Sequence, residues 1–596
     1  MKLGLTAIFA SLSLLASAAP AHRDTVRISE FGLRPYSHTD AASAIREALE
    51  TCRKVNARVL LFDEGRYDIW PEGSQRREWF ISNTSSESEC PSKVKTVGVL
   101  IENMHGLTID GRGAELIFHG SMITFGITGS SGITLKNLRT DFARPAMTEF
   151  RIVARDSTGT TVEFHPDSTF DIDREGRIRL FGEGWQTTSF YCTSLHPVTG
   201  LCEFTKVWDT LMRSRAEYAG PHRVKFATPD GFNPDTDPVY VVRDYVRDHV
   251  GMFIAKSSDV VLEEMEINYM NGIGIVGQFT RNIALRHVEC RPHEGSGRVM
   301  AASADFSHFS GCSGKIEVTD CRFSGAQDDP INVHGTNLRI VERKAKNRLV
   351  LRFMHAQSYG FDAFSPRDSV AFVTAATMER RSTAVVKRVR KLSQREVEVT
   401  FDRAVPDDIT LNDDCVENLT CTPEVEIRRC HFTHTHTRGT LVTTPRRVVI
   451  ADNCYVGTGM SAILIEGDAQ GWYESGPVCD VTIENNDFIF CGYGGGPANA
   501  VIALHPSNRI IDSAHPVHRN VRIRNNRFLT FGNTLLYAKS TAGLSFENNV
   551  AERFVPEEGN PRDELLARKS VSARPFVLEG CSDVSIENNV IEGYNL

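Results

Sequence analysis

The stretch DVTIENNDFIF, Asp480–Phe490, decides the fold. Val481 and Ile483 alternate with polar residues, an Asn485-Asn486 step follows, and Phe488 and Phe490 resume the alternation. Period-two alternation marks a strand with one buried face, and an Asn-Asn step marks a corner, because Asn tolerates left-handed backbone angles. The pattern recurs along the chain. GLTIDGRGAEL begins at Gly106, GITLKNLRTDF at Gly132, DVVLEEMEINY at Asp259, NIALRHVECRP at Asn282 and KIEVTDCRFSG at Lys315. EVEIRRCHFTH follows at Glu424, RVVIADNCYVG at Arg447, NVRIRNNRFLT at Asn520, GLSFENNVAER at Gly543 and DVSIENNVIEG at Asp583. Where no large insertion intervenes, neighbours are 23, 26, 33 or 40 residues apart. A unit near 23 residues with added loops predicts a solenoid, in which each coil buries its apolar face only against the next. Three short strands per coil predict an all-β fold, a right-handed parallel β-helix. A leucine-rich repeat would need LxxLxL spacing, and a propeller four strands per roughly 40 residues.

Two long gaps interrupt the series and predict insertions. FRIVARDSTGTTVEF, GRIRLFGEG and HRVKFATPDG read as antiparallel hairpins, as do LRIVERKAKNRLVLRF and STAVVKRVRKLSQREVEVTF. The expected order is β-helix over 24–145, an inserted β-barrel over 146–245 and β-helix over 246–337. A second inserted barrel over 338–422 and the remaining β-helix over 423–596 complete it. Near the start, Asp40 is placed to N-cap a short helix in which Ala44, Ile45, Ala48, Leu49 and Cys52 recur at helical spacing. That helix would cover the open first coil.

Composition narrows the function. The 596 residues carry 67 basic and 75 acidic side chains, a net charge of −8, with no long basic run. Nucleic acid, which needs dense Lys and Arg, is excluded as a partner. Leu3–Ala16 is too short and too N-terminal to span a bilayer, so membrane insertion is not expected. With Lys2 before it and Ala16-Ser17-Ala18 after it, residues 1–18 read as a signal peptide cleaved near Ala18, giving an exported, periplasmic or extracellular protein. Export permits disulfides among the fourteen cysteines, and Cys192/Cys202 and Cys415/Cys421 are spaced to staple local loops. No CxxC pair is present, so neither a metal nor a cofactor is expected.

Three polar clusters are candidates for chemistry. In GAQDDPINVHGTN, residues 325–337, Asp328 and Asp329 are adjacent. Strand neighbours point to opposite faces, so both reach solvent together only if the chain bends beside Pro330. Two close carboxylates repel, which raises one pKa and suits the pair to deprotonating a water. The alternative is a turn in which the pair satisfies backbone N–H groups. Asn332, His334 and Asn337 flank it. In SADFSHFSGCSGK, residues 303–315, Asp305 precedes Asp328 by 23 residues, one repeat, and His308 follows. One rung, about 4.8 Å, plus side-chain reach makes the about 6.5–9.5 Å carboxyl gap of inverting glycosidases feasible. In EGDAQGWYESG, residues 466–476, Trp472 and Tyr473 offer aromatic faces to a sugar, and Asp468 and Glu474 could bond hydroxyls.

Other features take bland readings. His434 and His436 are expected on one solvent-facing side of a strand, with His431 opposite, so no third metal ligand joins them. GYGGGPAN from Gly492 lacks the Lys of a phosphate loop and reads as a flexible turn. Asn83-Thr84-Ser85 and Asn418-Leu419-Thr420 match the glycosylation sequon.

GAQDDPINVHGTN, together with ADFSHFSGCSGKI, FMHAQSYGFDAF, VENLT, RGTLVTTPRRVVI and WYESG, resembles glycoside hydrolase family 110, the exo-acting α-1,3-galactosidases. The resemblance runs from about Phe31 to the C-terminus. It implies a β-helix with two inserted barrels and hydrolysis, with inversion, of terminal α-1,3-linked galactose from blood-group-B-type or linear glycans. It assigns the general base to Asp328 and Asp329, and Asp305 is the choice for general acid. His308, His334 and Asn332 would orient them, while Trp472, Glu474 and Asp468 would bind galactose. A polygalacturonase-like hydrolase and a non-catalytic glycan-binding solenoid are the rival readings. The former would want a basic cleft, and no Lys/Arg cluster is obvious in sequence beside the Asp pair. The sequence leaves a homodimer open.

Overall fold

The computed structural model describes residues 23–594, so the signal-peptide reading lies outside the described residues. The chain winds as a parallel β-helix. On one face, parallel partners follow each other from Thr25–Arg27 to Ser582–Glu587. A second face stacks Val94–Glu102, Ile123–Thr128, Val250–Ala255, Ile273–Gln278, Ser307–Ser310 and the start of Ile331–Ala345. It continues through Thr440–Val442, Ile463–Ile465, Ile502–Leu504, Leu536–Lys539 and Phe576–Glu579.

The Asn-Asn step works as two devices. Its first residue takes the left-handed conformation, as at Asn485, Asn525, Asn548 and Asn588, with φ of 55–57°. Its second residue turns inward and forms a ladder: Asn453 Nδ2 donates to Asn486 Oδ1 at 2.9 Å, Asn486 to Asn526 at 2.9 Å and Asn526 to Asn549 at 3.0 Å. Each of these Asn side chains also bonds backbone groups of adjacent coils, so none of the ladder amides is left open. Beside the ladder the aromatic rings of Phe323, Phe432, Tyr455, Phe488 and Phe528 stack at 4.5–5.3 Å. At the N-terminal end, helix Ala42–Val55 buries Ala42, Ile45, Ala48, Leu49 and Cys52 in the same core. Asp40 Oδ1 accepts from Ala42 N at 3.0 Å and from Trp70 N at 3.1 Å, tying the helix start to the first coil.

Both insertions leave the solenoid register intact: Ser131–Phe142 pairs directly with Ser258–Ile267, and Ser313–Thr319 with Glu424–Arg428. In the second insert, six antiparallel strands close a ring through Ile331–Ala345, Arg348–Arg352, Glu396–Phe401, Glu379–Lys391, Ser369–Thr374 and Cys415–Asn418. Strand Ile331–Ala345 starts as a coil strand and ends as a barrel strand, so barrel and β-helix share one rigid element. In the first insert the hydrogen-bonded ring does not close. Seven strands run from Cys202–Thr205 at one edge to Ala216–Gly220 at the other, over a core that includes Trp208 and Leu211 of helix Val207–Arg213. The expectation of disulfides fails, because all fourteen cysteines are free. Hairpin register opposes Leu195 to Cys202 and Cys192 to Thr205, which puts Cys192 and Cys202 at opposite ends of the hairpin.

Replacing Asn526 with Ala is expected to destabilise the fold by about 2–4 kcal/mol, because it strands buried partners on both neighbouring coils. Asn485→Gly, at a left-handed corner, is expected to be near neutral. Thermal unfolding of the two variants checks this, and equal midpoints would contradict the ladder's role.

Candidate active site

The site forms on the second face, at one corner of three successive coils. Strand register opposes Ser307 to Ile331 and Ile331 to Thr440. Two residues before each of these stand Asp305, Asp329 and Arg438, which therefore share a column about 4.8 Å apart per rung. The register aligns Asp305 with Asp329, correcting the 23-residue count that pointed to Asp328. Between strands Arg322–Ala326 and Ile331–Ala345 the chain bends, as the two carboxylates require. Asp329 and Asp305 are buried, with 2% and 5% of their side chains exposed, while Asp328 keeps 23%.

Arg438 holds Asp329 through Nη2 at 2.6 Å to Oδ2 and its backbone N at 3.2 Å to Oδ1. Burial pushes Asp329 well above the usual carboxylate range; Arg438 opposes this, and Asp328 and Asp305 add to it. Asp328 faces Arg247 at 3.7 Å and Arg438 at 3.9 Å. Burial opposes its ionisation, but Arg438, Arg247, Arg243 and His436 together hold its carboxyl below the ordinary value. Asp305 is raised, first by burial and further by Asp328, against its hydrogen bond with His308. The three carboxyls thus sit in three different electrostatic settings within one cluster.

Two histidines stand behind Asp305. His308 Nδ1 lies 2.8 Å from Asp305 Oδ2, His308 Nε2 lies 2.8 Å from His334 Nε2, and His334 Nδ1 lies 2.6 Å from the Gly335 carbonyl. A carbonyl only accepts, so His334 Nδ1 carries its proton. Burial lowers the His334 pKa, which leaves its Nε2 as a lone pair that accepts from His308 Nε2–H. His308 Nδ1 and Asp305 must then share one proton. Glu474 comes within 3.6 Å of His334 and is held by Asn83 Nδ2 at 2.7 Å. His308, His334 and Glu474 offer ligand atoms within 4.8 Å of one another, a set that could hold a divalent cation. The proton assignment satisfies the two histidines without one.

The remaining candidates divide. Asn332 is buried beside His308, and its Oδ1 has no protein partner. Trp472 is 39% exposed and lies 3.9 Å from the His355 ring, presenting an aromatic platform. Asp468 is committed elsewhere: its carboxylate accepts from the backbone N–H groups of Gln470, Gly471, Trp472 and Tyr473, shaping the loop that carries Trp472. Tyr473 is buried against the barrel, and Asn337 Nδ2 donates to the Asp468 carbonyl at 2.9 Å.

Several site residues were not foreseen. His436 does not face solvent beside His434. A φ of 55° at His434 breaks the strand alternation, and His436 Nε2 meets the Tyr191 hydroxyl at 2.8 Å near Asp328. Burial lowers the His436 pKa to about 4. The Arg243 guanidinium lies 3.8 Å over the Tyr191 ring, so Arg243, Arg247 and Arg438 do gather around the Asp pair. Glu466, pushed up to about 7 by burial, also feels Arg438. Arg438 stood in the quoted RGTLVTTPRRVVI, but only the register shows that it enters the column. The glycine-rich turn anchors the first insert, since the Tyr493 hydroxyl accepts from Cys202 N at 2.9 Å and donates to Cys202 O at 2.7 Å. Both sequon asparagines are buried with their amides engaged.

The chain is 50% identical over its full length to alpha-1,3-galactosidase A of Bacteroides fragilis, covering 96% of that protein. The chain belongs to the α-1,3-galactosidase family. Alpha-1,3-galactosidase B of Bacteroides thetaiotaomicron is 34% identical, covering 99% of this chain and 94% of that one. Alpha-1,3-galactosidase A of Streptomyces avermitilis is 33% identical, covering 96% and 93%. A family model described as GLAA-B beta-barrel domain II matches residues 348–415, within the closed ring of the second insert. Among solved structures, the family 28 exopolygalacturonase of Yersinia enterocolitica superposes with a TM-score of 0.39 at 10% identity, covering 94% of this chain and 78% of that one. Membership of the α-1,3-galactosidase family rests on the sequence identities, and the parallel β-helix on the strand register.

The Arg438 guanidinium is the cation that most directly favours the ionised form of Asp329. Arg438→Gln is expected to raise that carboxyl further and move the acid limb of kcat/KM to higher pH by about 1–3 units. An unmoved limb would contradict the pairing.

Proposed function

We propose that the protein is an exported exo-α-1,3-galactosidase that releases terminal α-1,3-linked galactose from glycans with inversion. The observation that carries this reading is the gathering of Asp305, Asp328 and Asp329 at one corner, in a chain half identical throughout to an α-1,3-galactosidase. An inverting enzyme needs one protonated carboxyl at the glycosidic oxygen and one carboxylate holding water on the opposite face of the sugar. Asp305, which shares a proton with His308, would be the donor, and Asp328 and Asp329 would hold the water. His334 fixes the His308 tautomer through the Gly335 carbonyl. Galactose would lie on Trp472, with hydroxyls meeting Glu474 and the unpartnered Asn332 Oδ1.

A second division of roles rests on the register. Asp305 and Asp329 share the column and could hold the water between them, leaving the more open Asp328 to meet the leaving group. Leaving-group dependence separates the two. Variants Asp328→Asn, Asp329→Asn and Asp305→Asn are each expected to fold and to lose about a thousandfold or more in galactose release from an α-1,3-galactosyl disaccharide. The variant lacking the proton donor alone should keep hydrolysis of α-galactosyl fluoride, whose leaving group needs no proton. Retention by Asp305→Asn supports the first division, and retention by Asp328→Asn the second. Wild-type-like release from the disaccharide by any of the three would overturn the reading. No helix among the described residues is long and apolar enough to cross a membrane. Export with loss of residues 1–18 is checked by mass spectrometry of the mature N-terminus.

A further inference from the structure

The first insert borders two adjoining hollows. The inner hollow, about 300 Å³, is lined by Trp185, Gln186, Asp244, Arg247, Asn271 and Ser303 among others. The outer, about 570 Å³, is lined by Gln186, Phe190, Tyr191, Phe204, Asp244 and Tyr245 among others. Gln186 and Asp244 line both, so the two adjoin, an inner and an outer part of one trench.

The inner end of the trench borders the carboxylate cluster through Arg247. Arg247 faces Asp328 at 3.7 Å, and Ser303 stands two residues before Asp305. Tyr191, on the wall of the outer hollow, reaches His436 at 2.8 Å. Asn271 on the inner wall is buried, and its Oδ1 has no protein partner. The outer end is aromatic and open: Phe190 is 40% exposed, Phe204 55% and Tyr245 57%. The same insert buries Trp208 almost completely, so its core did not lack room for apolar rings by composition. Exposed rings clustered in a hollow mark a binding surface rather than scattered surface residues. Interleaved polar groups, among them Gln186, Asp209, Asp244 and Lys206, line the same walls. Flat rings with polar groups between them suit pyranose rings, which present C–H faces and a rim of hydroxyls.

We propose that this trench is the aglycone site: it grips the sugars on the far side of the scissile bond and sets which glycans the enzyme accepts. The proposal rests on the galactosidase reading. An exo-acting site encloses only the terminal galactose, and the rest of the glycan must leave past the cluster. This trench starts beside Arg247 and leads outward, with volume in the range of small-molecule sites. Tyr245 and Phe190, whose ring carries the Arg213 guanidinium at 4.9 Å on one face and leaves the other for a sugar, supply the stacking faces from outside the carboxylate cluster, which makes them the specificity-determining pair.

The test compares Phe190→Ala, Tyr245→Ala and the double variant on α-galactosyl fluoride and on linear and branched α-1,3-galactosyl oligosaccharides. Each single variant should lose about tenfold in kcat/KM on the oligosaccharides, through KM, and stay within twofold of wild type on the fluoride. The linear and branched substrates should be affected unequally. Unchanged oligosaccharide kinetics, or an equal loss on fluoride and oligosaccharides, would overturn the aglycone site. Failure of the wild-type enzyme to hydrolyse any α-galactoside would instead overturn the galactosidase reading, and the trench with it.

Discussion

The parallel register of one face is the constraint on which the rest of the structure depends. It places Asp305, Asp329 and Arg438 at the same corner of three successive coils, although 109 residues separate Asp329 from Arg438 in sequence. Backbone hydrogen bonds set that spacing, so the charges cannot drift apart to relieve their repulsion. The cluster therefore resolves its strain by proton sharing and by arginine pairing. Asp305 shares a proton with His308, Asp329 takes Arg438, and Asp328 keeps its charge among Arg243, Arg247 and Arg438. The Asn ladder and aromatic stack hold the later coils to the same spacing.

The inserts turn this corner into an enclosed site. The first contributes Tyr191, Arg243 and, just past it, Arg247. The second contributes His355 beneath Trp472. Because strand Ile331–Ala345 belongs to both coil and barrel, one continuous strand joins His334 to the barrel wall. The Asn83–Glu474 bond draws the N-terminal part of the chain into the same enclosure. A chain with unoccupied solenoid loops would present the carboxyls to bulk water, where their pKa shifts would weaken.

The sequence exposes the period and its corner residues, because Asn485-Asn486 and its repeats are local features with local causes. It also exposes Asp328 and Asp329, adjacent carboxylates at a strand end beside Pro330 where a bend is allowed, and Asp305 one repeat upstream. It hides whatever depends on long-range register. The alignment of Asp305 with Asp329 rather than Asp328, the entry of Arg438, and the approach of Tyr191 to His436 come from pairings across inserts. Asp468 misleads because an acidic residue beside Trp and Tyr looks like a sugar ligand, yet four backbone N–H groups consume it. The Cys192/Cys202 pair misleads because closeness in sequence is not closeness across a hairpin.

The central claim is that this cluster displaces the glycosidic bond directly with a bound water. Proton NMR during hydrolysis of an α-1,3-galactosyl disaccharide tests it before mutarotation scrambles the product. The account predicts β-galactose as the first-formed anomer, with the α form growing in later. α-Galactose appearing first would mean two displacements through a covalent intermediate, and would contradict it.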